Sequence, residues 1–203
     1  MIQKFFIHIP KNGGMTIRRS NIARPKIMLA TPDTHKNQNY AISVRNKMQQ
    51  LGEHDGFEHA RWKDINKELQ DKMIFFAIVR NPWDRVVSRY LFAKKVMYLE
   101  KHQPSTYADT SSFKAFLEER HKWGDEEFMW HRAVRGWYPA FDHVSDEKGE
   151  KVKCDILRFE HYNEDTKLYL GMLQNPNPRN VTRVPNDNGN TGHGTSYKDI
   201  YTK

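Results

Sequence analysis

The sequence predicts an α/β fold of three layers, with a central parallel sheet flanked by helices. Two apolar runs rich in aromatic and β-branched residues, Phe5 to Ile9 and Ile74 to Val79, read as buried strands. Each is followed by a turn signal and then by a helical segment. The repeated order strand, loop, helix argues for parallel strands with helices packed on the sheet.

In the first unit, Phe5, Phe6, Ile7 and Ile9 form the strand and Pro10 ends it. Lys11-Asn12-Gly13-Gly14-Met15-Thr16 follows at the strand's carboxyl end. Small residues there let backbone N–H groups approach an anion, and a following helix offers its positive end. The segment has the build of a phosphate cradle. It is not the Walker pattern, in which Gly-x-x-x-x-Gly precedes the lysine, because Lys11 comes before the paired glycines. A nucleotide triphosphatase is therefore disfavoured. Taken alone, the segment also reads as an ordinary strand-to-helix turn with a surface lysine.

In the second unit, the strand breaks at Arg80-Asn81-Pro82, after which Trp83, Val86, Val87, Tyr90 and Leu91 recur at helical spacing. Pro82 suits a first helical turn. Arg80 then stands at the mouth of a strand and Ser88 on the helix behind it, so a guanidinium and a hydroxyl can converge on one phosphate. Composition alone leaves a structural role for Arg80 equally open.

Asn39 to Leu51 and Ser111 to Lys122 read as further helices, the latter with Phe113, Phe116 and Leu117 on one face. From Asn175 to Gly194 the chain turns to Asn, Pro, Gly and Thr, which predicts a long loop. His8, embedded in the first strand and pointing away from the loop, is expected to satisfy a buried hydrogen bond. The ten histidines show no metal-ligand spacing, and the lone Cys154 is expected inside an apolar strand as a small hydrophobe.

At 203 residues the chain fits one domain with a sizeable core. One cysteine excludes an internal disulfide framework, and no apolar span of membrane length occurs. The formal charge of +8 suits a polyanionic ligand. Nucleic acid ranks low as a partner, because the basic residues are scattered except around Arg18-Arg19 and Lys94-Lys95.

The motifs HIPKNGGMTI and VRNPWDRVVSRY resemble the 5′-phosphosulfate loop and the 3′-phosphate motif of sulfotransferases that use 3′-phosphoadenosine 5′-phosphosulfate (PAPS). The match is closest to the carbohydrate branch, the heparan- and chondroitin-type O-sulfotransferases, with its His-x-Pro-Lys-x-Gly-Gly and Arg-Asn-Pro-x-Asp-Arg-x-x-Ser-x-Tyr signatures. CDILRFEHY, Cys154 to Tyr162, resembles the family's late strand, and SYKDIYTK its Tyr-x-x-x-Tyr-Thr near the carboxyl end. The resemblance implies a P-loop-like fold, PAPS as donor with adenosine 3′,5′-bisphosphate (PAP) as product, no metal, and a hydroxyl acceptor, foremost on a carbohydrate.

It also implies roles. Lys11 would stabilise the transition state at the leaving phosphate, where negative charge grows, and could protonate it. Asn12, Gly13, Gly14, Met15 and Thr16 would hold the 5′-phosphate, and Arg80 with Ser88 the 3′-phosphate. Relatives present a Gly-x-His or Glu-x-His element between the two cradles. In GFEHARW, Gly56 to Trp62, His59 is accordingly the expected base, with Glu58 as the alternative. Thr195 and Ser196 fall where the family places a loop over the donor. Trp123, Trp130, His131, Arg132, Arg135, Trp137 and Tyr138 lie where such enzymes build the acceptor cleft. Of these, Arg132, Arg135 and Trp137 are the expected acceptor contacts, by stacking on sugar rings and pairing with anions. A core segment with exposed arginines is the other reading.

Relatives of this branch are anchored in the Golgi membrane. The start of the first strand close to Met1 leads us to expect a cytoplasmic bacterial or viral homologue, with an excised lumenal Golgi-type domain as the alternative. The expected unit is one sulfotransferase domain over residues 1–203, cut short at its carboxyl end, since relatives continue beyond the Tyr-Thr element into another helix. Two rivals remain: a kinase-like nucleotide-binding protein, and a catalytically silent module that binds a nucleotide or glycan.

Overall fold

The structure is a computed structural model and describes residues 3–50, 56–98, 109–118 and 138–171. Four strands, β1 (Lys4–Ile7), β2 (Ile27–Leu29), β3 (Ile74–Val79) and β4 (Asp155–Arg158), form one sheet. Its order is β2-β1-β3-β4 and every neighbouring pair is parallel. The helices are α1 (Gly14–Arg19), α2 (Gln38–Gln50), α3 (Lys67–Lys72), α4 (Pro82–Tyr98), α5 (Phe113–Glu118) and α6 (Tyr162–Leu170).

Side chains alternate across the strands, as a pleated backbone requires. Phe5, Ile7, Phe75 and Ala77 face one layer, and Phe6, Phe76 and Ile78 face the other. The first face is covered by Ala60, Ile65 and Val144, with Trp62 and Leu69 packed beside them. The second is covered by Ile17 of α1 and by Tyr162 and Leu170 of α6. Aromatic pairs lock the central strands together, Phe5 with Phe75 at 5.1 Å between ring centroids and Phe6 with Phe76 at 4.9 Å. Burying each of these four rings is worth about 2 kcal/mol. This is the three-layer α/β arrangement that the strand, loop, helix order predicts.

The topology decides where the site lies. From β1 the chain moves outward to β2, then returns to the other flank of β1 as β3. At such a reversal the loops leaving the two central strands diverge and open a crevice at their carboxyl ends. Parallel pairing sets Ile7 beside Ala77, so both of the segments with phosphate-cradle character emerge on this one edge.

Some elements differ from expectation. Helix α2 begins at Gln38, one residue before the expected Asn39, and runs to Gln50, with the expected end at Leu51 outside the described residues; α5 begins at Phe113 rather than Ser111. The rest of the helix expected to Lys122 lies outside the described residues. Strand β1 ends at Ile7, because the Ile9 N–H turns back to the Ile7 carbonyl at 3.0 Å and curls the chain off the sheet. Ile9 is nevertheless buried in the core. Cys154 precedes β4 instead of lying within it and is only partly buried. The segments that contain Arg132, Arg135 and Trp137, the loop from Asn175 to Gly194, and Thr195 and Ser196 lie outside the described residues. Among the described residues, no helix is long and apolar enough to cross a membrane.

Candidate functional site

The chain leaves β1 through a tight reversal. Lys11 has φ 67°, in the left-handed region that non-glycine residues rarely enter, and Gly13 follows at φ 82°. The reversal delivers the chain into the first turn of α1. Neither glycine has room for a side chain. A Cβ on Gly13 would stand 2.9 Å from Cε2 of Phe159 and 3.0 Å from Cε2 of Tyr162; one on Gly14 would stand 2.1 Å from Cδ2 of His8. Among the described residues, no acceptor meets the backbone N–H groups of Asn12, Gly13, Gly14 or Met15.

Three contacts pin this loop. Asn12 Nδ2 donates to the Ile78 carbonyl at 2.8 Å, tying it to β3, while Asn12 Oδ1 is buried and unpartnered. The Tyr162 hydroxyl donates to the Gly13 carbonyl at 3.1 Å and meets the Thr16 hydroxyl, and burial pushes its acidity well below that of free tyrosine. Arg85 Nε donates to the Pro10 carbonyl at 3.0 Å.

The second segment begins where β3 ends. Asn81 Oδ1 accepts from the N–H groups of Trp83 and Asp84, so Asn81 caps α4 and Pro82 fills its first position. Arg80 stands just before this cap. Its Nη1 reaches the Lys11 carbonyl at 3.4 Å, its Nη2 lies 3.7 Å from Asp84, and its guanidinium lies 4.3 Å from the Phe159 ring centroid. Its Nε is buried with no partner. Burial lowers the Arg80 pKa, against the opposing charges of Asp84 and Glu160. Glu160 also accepts the Asn81 N–H at 2.7 Å.

Ser88 is buried on α4. Arg85, Ser88, Arg89 and Phe92 recur at helical spacing and share the α4 face directed at the loop. The Lys11 ammonium lies 4.1 Å above the Phe92 ring, which holds the cation at this face. Arg85 bridges two chain segments, since Nη1 also donates to the Tyr138 carbonyl at 3.0 Å. Burial alone pulls its pKa down to about 10, and Nη2 has no partner. Arg89 is deeper still, with a pKa that desolvation first and Arg85 second push down.

A group of histidines backs the loop. His59, in the short helical turn Phe57–His59, donates from Nδ1 to the His8 carbonyl at 2.8 Å. A carbonyl oxygen can only accept, so Nδ1 carries a proton, and in the neutral ring the lone pair is on Nε2. The rings of His8 and His59 are 4.3 Å apart. Contrary to expectation, His8 does not point away from the loop: its ring lies directly beneath Gly14, and its Nδ1 is buried without a partner. His143 is also buried, donates from Nδ1 to the Pro139 carbonyl at 3.2 Å, and leaves Nε2 unpartnered. Desolvation holds both His8 and His143 well below the usual imidazole range, and nearby cations, with Arg18 acting on His8 and Arg85 on His143, add to it.

Glu58 is bound to Arg18 at 2.7 Å, which ties α1 to the turn that carries His59. A carboxylate engaged this way is a weaker candidate for accepting a proton than the imidazole beside it. Met15 makes a long contact from its sulfur to the same arginine, at 3.5 Å. The structure therefore brings Lys11 to Thr16, Arg80, Glu58 and His59 together around the β1 and β3 ends, with Ser88 buried on α4 one turn beyond Arg85.

It adds Arg85, Arg89, His143, Phe159, Glu160 and Tyr162, none of which the sequence marks as a site residue. Helical spacing from Ser88 could have found the two arginines. The last three stand in the CDILRFEHY stretch, and no local signal marks His143.

Neither a search of curated proteins nor a search of solved structures returns a match. A family model described as "Sulfotransferase family" matches residues 4–199, which include both segments that frame the crevice. The chain belongs to the sulfotransferase family, whose members transfer a sulfuryl group to an acceptor and generally take it from PAPS.

Proposed function

We propose that this chain, as a single domain over residues 1–203, transfers the sulfuryl group of PAPS to a hydroxyl, foremost on a carbohydrate. The observation that carries the reading is the meeting of the two segments at the β1 and β3 ends, with Arg80 Nη1 3.4 Å from the Lys11 carbonyl. A nucleotide with phosphates at both 5′ and 3′ positions needs two anion sites side by side. The cradle fits such a donor: it has backbone N–H groups without acceptors among the described residues and a buried unpartnered Nε on Arg80.

The donor supplies a sulfuryl group on a phosphate leaving group. Asn12 to Met15 offer backbone N–H groups to the 5′-phosphate, and the Thr16 hydroxyl, shared with Tyr162, closes that cradle. Arg80 and Ser88 take the 3′-phosphate, with Arg80 exchanging its long Asp84 contact for a stronger anion. Lys11 places a cation at the bridging oxygen, where charge grows as the bond to sulfur breaks. His59 takes the acceptor's proton on Nε2, its ring orientation held by the His8 carbonyl.

The acceptor class rests on the resemblance to the carbohydrate branch and on the net charge of +8, which suits an anionic glycan. Arg132, Arg135 and Trp137 remain the proposed acceptor contacts, and Thr195 and Ser196 the proposed donor cover. Calorimetric titration with PAP and with ATP plus magnesium tests the donor. Micromolar binding of PAP that Arg80→Ala abolishes is expected, with little response to ATP. The reverse preference sinks the reading in favour of a kinase-like protein. Turnover that His59→Ala removes while PAP binding survives excludes the silent binder.

A further inference from the structure

The corner that joins β4 to α6 touches both phosphate-holding segments at once. One face of the Phe159 ring lies 4.3 Å from the Arg80 guanidinium. Its edge fills the space a Gly13 side chain would take, with Cε2 and Cδ2 within 3.0 Å of that Cβ position. Next in sequence, Glu160 accepts the N–H of Asn81, and two residues further the Tyr162 hydroxyl donates to the Gly13 carbonyl. The corner thus supports the 5′ cradle from one side and the 3′ cradle from the other.

We propose that Phe159 is a positioning residue that sets the separation between the Gly13 loop and the Arg80 guanidinium, and so confers selectivity for a 3′,5′-bisphosphorylated nucleotide. This inference rests on the donor reading above. The two cradles depend on the ring unequally. Gly13 is also held by the Tyr162 hydroxyl and abuts the Tyr162 ring, so the loop keeps a support when Phe159 is removed. The flat face of the guanidinium has Phe159 beneath it, and the other contacts of Arg80 are long, 3.4 Å to Lys11 and 3.7 Å to Asp84. A ring under a guanidinium fixes the plane of its donor fork, and an aliphatic side chain of similar volume does not.

The test compares dissociation constants of PAP and of adenosine 5′-monophosphate for wild type, Phe159→Leu and Phe159→Tyr. Leucine keeps the corner filled and lets the protein fold, as a thermal melt verifies. In wild type the 3′-phosphate is expected to tighten binding at least about tenfold, the scale of a charged hydrogen-bond pair. Phe159→Leu should collapse that ratio towards one while weakening the monophosphate less than about threefold, and Phe159→Tyr should restore it. Equal weakening of both nucleotides by Phe159→Leu, or an unchanged ratio, overturns the inference and leaves the donor reading standing. A wild-type ratio near one overturns the donor reading itself.

Discussion

Replacing Gly14 by alanine sets two effects of opposite sign against each other. Gly14 opens α1 with no left-handed strain, so alanine there would ordinarily gain up to about 1 kcal/mol from helix propensity. The added methyl, however, would lie 2.1 Å from Cδ2 and 2.2 Å from Nε2 of His8. Carbon contacts settle at about 3.5–4.0 Å, so the overlap exceeds an ångström. The His8 ring has nowhere to withdraw: it is 3 % exposed, stacks on Phe6 at 5.4 Å and abuts His59 at 4.3 Å. Overpacking of this kind costs about 1–3 kcal/mol, which exceeds the propensity gain.

The expected net loss, up to about 2 kcal/mol after the full propensity gain is subtracted, lowers Tm by up to roughly 8 °C for a chain of this size. Urea and thermal unfolding followed by circular dichroism measure it. Adding His8→Ala in the Gly14→Ala background should recover part of the loss, so the double variant is more stable than the two single losses together imply. A Gly14→Ala protein as stable as wild type, with no such coupling, refutes the packing of His8 beneath the loop.

Four further outcomes follow from the same geometry. His8 and His143 are kept neutral by burial in the folded chain, whereas unfolded imidazoles titrate near about 6.5; the unfolded state therefore binds more protons below that pH. Stability should be full above it and fall on acidification with a slope of up to about 2.7 kcal/mol per pH unit, and a flat urea midpoint from pH 7 to 5 contradicts this. Lys11→Gly removes the strained φ of 67° and should gain up to about 1 kcal/mol in urea unfolding while turnover of PAPS is lost. Tyr162→Phe deletes the hydroxyl between Gly13 and Thr16, and titration should find PAP bound about three- to tenfold more weakly. Arg85→Lys keeps the charge but not the fork that spans the carbonyls of Pro10 and Tyr138, and should cost about 2 kcal/mol in urea unfolding.

The sequence by itself determined the two central strands and the turn that follows each of them. The strands at Lys4–Ile7 and Ile74–Val79, the breaks at Pro10 and Pro82, and the placement of Lys11 and Arg80 just beyond strand ends are legible because apolar runs and Pro or Gly act within a few neighbouring residues. The His59 tautomer is not encoded in that way. It depends on the carbonyl of His8, 51 positions away in the chain, just as the Arg85 fork depends on Pro10, 75 positions away, and Gly13 on Tyr162, 149 positions away. The sheet order β2-β1-β3-β4 alone brings these partners together, and it arises from packing both sheet faces at once. The sequence reading of His8 erred for the same reason: composition marks a histidine beside a strand, but only the tertiary structure decides that its ring becomes the floor under Gly14.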